Sequence, residues 1–243
     1  MNNKGQKKIS IIVPIRYNVS LSTVCIDSIL NYTKNFELIL VQEGEDEEIT
    51  KLLKLYNVKY AHNKEPKGYA GALNTGIELA EGDYYCFLNN DTVVTPNWME
   101  NMLKAFDNPE IGLVSPTFTG TSSRQSIEWN DGREFDYIYD SLKLMGVCFL
   151  IPKKVIDKVG KWDESFGLGG EEDYDMTIRI ANAGYTLCIA RKSFIYHYGG
   201  ASFKELFEGD QEACMEHAKK QFIKLENKHN LNIIPKNYEQ STN

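Results

Sequence analysis

The sequence predicts an α/β fold, a single domain with a mostly parallel central sheet flanked by helices. Three observations predict it. From Ile9 to Pro116, short apolar runs rich in β-formers alternate with segments of helical periodicity, the pattern of parallel strands joined by crossover helices. The first run, residues 9–15, is almost continuously apolar, as a central strand covered on both faces must be. No internal repeat or low-complexity block divides the 243 residues.

Each element follows from its pattern. Residues 9–15 form the first strand, and residues 21–32 a helix with Leu21, Val24, Cys25, Ile29 and Leu30 at helical spacing. Residues 36–41 form the second strand, 45–56 a helix carrying Ile49, Leu52, Leu53 and Leu55, and 58–61 a short third strand. A helix over 69–80 leads to a strand over 84–88. Thr95 as N-cap, with Pro96 at the first helical position, opens a helix through Trp98, Met102, Leu103 and Phe106. Residues 111–115 are the next strand. The rhythm then breaks: residues 117–140, rich in Ser, Thr, Gly, Asp and aromatics, read as a long functional loop or irregular insert. Order returns over 144–151, in a helix over 153–159, and in a helix over 172–183 stopped by Gly184. Residues 185–196 have strand character, and 210–228 a charged amphipathic helix. The expected division is a main domain over 1–208, with 209–243 packed on it or trailing from it.

Composition removes several functional classes. There are 27 Lys and Arg against 34 Asp and Glu, a net charge of −7, which disfavours a general binder of nucleic acid or anionic membrane, since both need a basic face. No apolar run reaches the roughly 18 residues of a membrane span, and residues 1–8 are polar and basic without an apolar stretch behind them. The five cysteines are odd in number, widely spaced and without a C-x-x-C pair. Reduced, mostly buried thiols and a cytoplasmic location are expected.

Ligands of open α/β sheets collect beyond the carboxyl ends of the strands, so the polar residues there are the first candidates: Arg16 and Tyr17, Gln42 and Glu43, Lys67 and Gly68, and Asn89 to Asp91. The run Phe87-Leu88-Asn89-Asn90-Asp91 ends a strand in amides and one carboxylate. It suits either a turn closed by Asx side chains or a hard divalent cation held against a diphosphate. Glu171, Glu172, Asp173 and Asp175 follow Gly169-Gly170 at a helix start. One or two such acids suit the positive end of a helix dipole, and Asp175 can pair with Arg179 one turn on. Four within five residues repel one another, as in a site that handles protons or cations. His197 is a structural residue or a metal ligand; His62, His217 and His229 are read as surface residues.

Taken in order, these motifs resemble the family 2 glycosyltransferases, inverting enzymes with the Rossmann-like, nucleotide-binding GT-A fold. Five pieces spanning Ile9 to about Gly200 carry the resemblance. They are Ser10-Ile11-Ile12-Val13-Pro14-Ile15-Arg16; Glu37-Leu38-Ile39-Leu40-Val41; Gly68-Tyr69-Ala70-Gly71-Ala72-Leu73-Asn74-Thr75-Gly76; Gly82 through Asn89-Asn90-Asp91, in the place of the D-x-D element; and Phe166 through Glu172-Asp173-Tyr174-Asp175-Met176-Thr177-Ile178-Arg179, similar to the E-D-x-D helix start. Two departures stand out. The usual aspartate after the second strand is Gln42 followed by Glu43, although an amide can bond the imide edge of uracil or thymine. The first D-x-D acid is Asn89, similar to the N-x-D variants of rhamnosyl-type members.

The resemblance implies transfer of a sugar from a nucleoside diphosphate donor, a UDP- or dTDP-sugar favoured, to a hydroxyl of a glycan or other acceptor. Pro14, Ile15, Arg16, Gln42, Glu43, Gly68, Tyr69, Asn74, Asn89, Asn90 and Asp91 are the donor-binding candidates. Asp91 and His197 are the candidate ligands of Mn²⁺ or Mg²⁺, Asp173 the candidate general base, and Glu172 a positioner of donor or acceptor sugar. In the 117–140 segment, Phe118, Trp129, Phe135, Tyr137 and Tyr139 either stack on acceptor sugars or pack the loop down. The rivals are a sugar nucleotidyltransferase, which ordinarily has a glycine-rich basic first loop where this chain has Arg16-Tyr17-Asn18-Val19-Ser20; a catalytically silent nucleotide-sugar or glycan-binding module; and an enzyme that glycosylates modified DNA bases, which the −7 charge discourages.

Overall fold

The computed structural model describes residues 7–129, 132–138, 144–199 and 205–231. Nine strands join in one sheet. They are β1 (Ile9–Ile15), β2 (Phe36–Glu43), β3 (Lys59–Asn63), β4 (Tyr84–Leu88), β5 (Thr92–Val94), β6 (Ile111–Phe118), β7 (Phe135–Ile138), β8 (Cys148–Pro152) and β9 (Thr186–His197). The order is β3-β2-β1-β4-β8-β6-β9-β5, with β7 also paired to β9. The first four strands are parallel, and β8 then enters antiparallel between β4 and β6. The sheet is therefore parallel in its first half and mixed beyond it.

Strand alternation sends every second side chain to one of two cores. Ile9, Ile11, Val13, Leu38, Leu40, Cys86 and Leu88 meet helices α1 (Val19–Tyr32), α2 (Glu47–Leu55) and α4 (Trp98–Ala105). Ile12, Ile39, Val41, Tyr85 and Phe87 meet α3 (Gly68–Leu79), α5 (Lys153–Val159) and α6 (Glu172–Asn182). A last helix, α7 (Gln211–His229), starts at Asp210, whose carboxylate accepts from the Glu212 and Ala213 amides. It buries Leu225 against Phe166 and Ile178.

The structure corrects several expectations. Helix α4 is capped by Asn97 in the left-handed conformation (φ 64°), not by Thr95. The Thr95 hydroxyl instead donates to the Phe194 carbonyl at 2.6 Å, a cross-sheet bond invisible to a local rule. Residues 117–140 are not a plain loop. Strand β6 runs to Phe118, a 3₁₀ turn covers Ile127–Trp129, and β7 pairs with β9. Asp136 in β7 is buried against Arg191, 2.7 Å away, with Arg124 and Arg133 at its rim. Phe118 lies in the core, and Phe135 and Tyr137 pack against it, so these three hold the segment down. The side chain of Trp129, and Tyr139, fall outside the described residues. Residues 185–196 form one long strand, and β5 was not foreseen.

The five cysteines are free, four of them buried. Among the described residues no helix is long and apolar enough to cross a membrane. The three histidines read as surface residues are half-buried, and each has a partner. His62 reaches the Gly44 carbonyl at 2.9 Å, His217 the Gly169 carbonyl at 2.7 Å, and His229 the Asp175 carboxylate at 2.8 Å.

Candidate active site

Sheet topology brings distant parts of the chain to one edge. Strands β1, β2 and β4 are parallel and end there, placing Pro14, Arg16, Glu43 and Asn89 to Asp91 side by side. Strand β8 starts at the same edge because Cys148 pairs with Leu88, and the Asn89 amide donates to the Val147 carbonyl at 3.0 Å. Strand β9 ends there, paired through His197 to Thr92. Helix α6 points its N-terminus at the same place. The result is a cavity of about 320 Å³.

Asp91, His197, Glu172 and Asp173 all line this cavity, together with Pro14, Arg16, Glu43, Gly68, Tyr69, Asn89 and Asn90. The structure thus unites most of the residues picked from sequence, 82 positions apart in the case of Asp91 and Asp173. Three do not reach it. Ile15 is wholly buried in the core. Gln42 donates to the Gly44 and Asp46 carbonyls (3.1 and 2.9 Å) and accepts from Thr50 (3.0 Å), so its amide closes the β2–α2 connection. Asn74 donates to the Trp162 carbonyl and Glu164 and accepts from the Trp162 amide, clipping α3 to the following loop. Unlike the other candidates, Ile15, Gln42 and Asn74 are thus turned into the fold rather than toward the cavity.

Several lining residues also have a defined second task. Asn90 donates to the Tyr17 carbonyl and the Ser22 hydroxyl, fixing the loop after β1. The Tyr69 hydroxyl donates to Asn89 Oδ1 at 2.7 Å and lies 3.3 Å from the Gly146 carbonyl. The Glu43 carboxylate accepts from the Lys67 and Gly68 amides at the start of α3 and from Asn63. Burial keeps its pKa above the ordinary range despite those bonds.

Asp173 is held by backbone. Its Oδ2 accepts from the Gly146 amide at 2.8 Å and its Oδ1 from its neighbour Tyr174 at 2.7 Å. Only glycine fits opposite, since a Cβ on Gly146 would lie 2.7 Å from the Asp173 Cβ. Glu172, 7% exposed, has Oε2 buried without a hydrogen-bond partner among the described residues. Burial first, and then the Asp173 charge, hold its pKa well above the usual carboxylate range. Asp91 lies 3.5 Å from His197 Nε2, and His197 Nδ1 is buried and unpartnered among the described residues. Four acidic side chains thus face one guanidinium, that of Arg16, across the cavity.

Sequence reasoning missed the apolar wall: Met145, Val147, Leu168 and, from the C-terminal segment, Leu206. Nothing in their local pattern distinguishes them from core residues.

Comparisons with known proteins agree with this architecture. The model of the family described as "Glycosyl transferase family 2" matches residues 10–159. An uncharacterised glycosyltransferase of Rickettsia typhi is 30% identical over 188 residues, covering 71% of this chain and 58% of that protein. The minor teichoic acid biosynthesis protein GgaB of Bacillus subtilis is 32% identical over 216 residues, 82% of this chain and 24% of its own length. This chain thus spans little more than half of the first relative and a quarter of the second. Among solved structures, the mannosyltransferase PcManGT from Pyrobaculum calidifontis, in complex with GDP-Man and Mn²⁺, superposes with a TM-score of 0.71 at 14% identity, over 94% of this chain and 65% of that one. At that identity the likeness shows the fold, which is GT-A.

Proposed function

Because this chain belongs to glycosyl transferase family 2, we propose that it moves a sugar from a nucleoside diphosphate donor to an acceptor hydroxyl, with inversion at the anomeric carbon. The observation that carries the reading is that Asp91 with His197, and Asp173 with Glu172, line one cavity. Inversion needs two functions: charge neutralisation on the departing diphosphate, and a base for the attacking hydroxyl on the opposite face of the sugar.

Asp173 is the base in this reading. A carboxylate has about four lone-pair sites, so two backbone N–H bonds orient it and leave capacity for the incoming proton. Glu172, whose pKa burial and the Asp173 charge hold well above the usual carboxylate range, can in its protonated form donate a hydrogen bond to a sugar hydroxyl and so orient donor or acceptor beside the base. Arg16 meets the phosphates.

Asp91 and His197 fit a divalent cation. The Asp91 carboxylate and His197 Nε2 stand 3.5 Å apart in the cavity lining, and oxygen with imidazole donors suits Mn²⁺ or Mg²⁺. Among the described residues no group of three or more His, Cys, Asp or Glu that could hold a metal ion is found, so a cation at Asp91 and His197 would need further ligands from the donor phosphates or water. When bound it would neutralise charge on the leaving diphosphate.

With Gln42 committed internally, the preference for UDP- or dTDP-sugars loses the contact that favoured it, so the donor panel extends to GDP-sugars. The acceptor class proposed is a glycan or another hydroxyl-bearing molecule. The five free cysteines suit the reducing cytoplasm.

The test is a panel of nucleotide sugars scored for Mn²⁺-dependent release of nucleoside diphosphate, with and without EDTA. Release with one donor, abolished by EDTA, is expected. Asp173→Asn keeps donor binding and loses transfer by a factor on the order of 10²–10⁴. Unchanged turnover in that variant removes Asp173 from the role. Donor binding without release by the wild type points instead to a silent binding module.

A further inference from the structure

Helix α7 lies beyond the residues matched by the family model, and its sequence reads as a charged amphipathic helix that packs on the domain or trails from it. Its contacts show it packed, and most of them converge on one stretch of chain, residues 163–175, the stretch that delivers Glu172 and Asp173 to the cavity. His217 donates to the Gly169 carbonyl at 2.7 Å. Gln221 packs against Gly170, where an added Cβ would come within 3.0 Å of it. Lys224 donates to the Ser165 carbonyl. Lys228 joins Asp163 at 2.7 Å and Asp175 at 2.6 Å, and His229 adds a bond to Asp175 at 2.8 Å. Leu225, fully buried, fills the space between Phe166 and Ile178.

Between its 3₁₀ turn (Glu164–Phe166) and α6 the gripped segment is rich in glycine. Gly167, Gly169 and Gly170 all have positive φ (64°, 118° and 131°), and glycines restrict the backbone least. Asp175 sits two residues after Asp173 on the first turn of α6 and is wholly buried. Arg179, from its own helix, takes Oδ2 at 2.8 Å, while Oδ1 is bound only from α7 among the bonds described.

We propose that α7 is a positioning element of the active site: through Lys228 and His229 on Asp175 and His217 on Gly169 it sets where the Glu172-Asp173 turn stands relative to Gly146 and the Asp91 side of the cavity. The proposal rests on the glycosyltransferase reading for its catalytic consequence but not for its structural one. None of the α7 residues touches the reacting atoms. Their effect is on the place of a group that does, and displacement by about 1 Å at such a group can cost up to about a hundredfold in rate.

The experiment uses the full chain with three variants: the double change Lys228→Met with His229→Gln, His217→Ala, and Lys228→Arg as the charge-keeping control. Amide hydrogen exchange is measured by mass spectrometry. Faster exchange is expected in peptides covering 163–175, by about tenfold or more, with the β1–β4 peptides unchanged. Unchanged exchange over 163–175, or an equal acceleration everywhere, overturns the proposal. The second readout is steady-state release of diphosphate: kcat falls about tenfold or more at an unchanged KM for donor, and Lys228→Arg, which keeps the charge, retains wild-type kcat. A loss confined to KM, or Lys228→Arg as impaired as the double change, counts against it. A wild type that turns over no donor sinks the glycosyltransferase reading, while the exchange measurement still decides the role of α7.

Discussion

Glu172 and Asp173 are adjacent in sequence and chemically alike, yet their surroundings differ. Asp173 meets two backbone amides, whereas one oxygen of Glu172 is buried with no partner among the described residues. The raised pKa of Glu172 has a definite consequence for stability. Below the ordinary glutamate range the side chain is neutral both folded and unfolded, and its contribution is fully present. As pH rises toward the raised native value, folding holds a proton that the unfolded chain has released, and that stability is lost. Glu172→Gln therefore unfolds with the wild-type midpoint below the ordinary glutamate pKa of about 4.3 and with a progressively higher midpoint as pH rises above it. Calorimetry across that range checks it; a difference that does not change with pH contradicts the assignment. Asp175 is the opposite case. Burial alone would raise its pKa, but Lys228, Arg179 and His229 outweigh burial and hold it below the ordinary aspartate value. Its contribution is present at neutral pH and is lost only as pH falls through that lowered value.

Among elements, helix α3 shows how a local motif is set by a non-local neighbour. Its first residue, Gly68, has φ +76°, and its amide donates to Glu43. A Cβ there would lie 1.7 Å from the Gly167 carbonyl oxygen, on the loop that carries the acidic turn. Gly68→Ala is expected to lose at least about 1–3 kcal/mol from backbone strain alone, with a further loss from displacing residues 167–170. Denaturant unfolding measures the first and donor turnover the second, and a fully stable, fully active alanine variant contradicts both. Helix ends were read with mixed success for a physical reason. Asp46 and Asp210 cap α2 and α7 through amides two and three residues on, as the local rule requires. Thr95 satisfies the same rule on paper, but its hydroxyl bonds the end of β9, which only the folded sheet brings near.

For the molecule as a whole, the mixed half of the sheet depends on a buried ion pair. Arg191 in β9 and Asp136 in β7 are each 3% exposed, and Arg191 also donates to the Arg124 carbonyl. Arg191→Met strands the Asp136 charge with only the rim guanidiniums of Arg124 and Arg133, and should cost about 3 kcal/mol in denaturant unfolding. A loss below about 1 kcal/mol means that the rim arginines suffice. The parallel half of the sheet was legible in the chain because buried parallel strands must be apolar throughout and their crossover helices must keep a helical period; β1 and β4 fall where that pattern puts them, and α1, α2 and α3 lie close to their predicted bounds. The Asn89-Asn90-Asp91 strand end, the acidic start of α6 and His197 were legible for a different reason, since polar groups massed at strand and helix ends are costly to place without a partner or a ligand. What the pattern could not tell was which polar side chains would be consumed internally. Gln42 and Asn74 look as available as Asp91 when read along the chain, and their bonding is decided by Asp46, Thr50 and Trp162, whose positions are a property of the folded molecule. The same holds for α7. Its amphipathic period is local and was visible, while the partner of its buried face, a turn roughly fifty residues away, is set by packing that no window along the sequence contains.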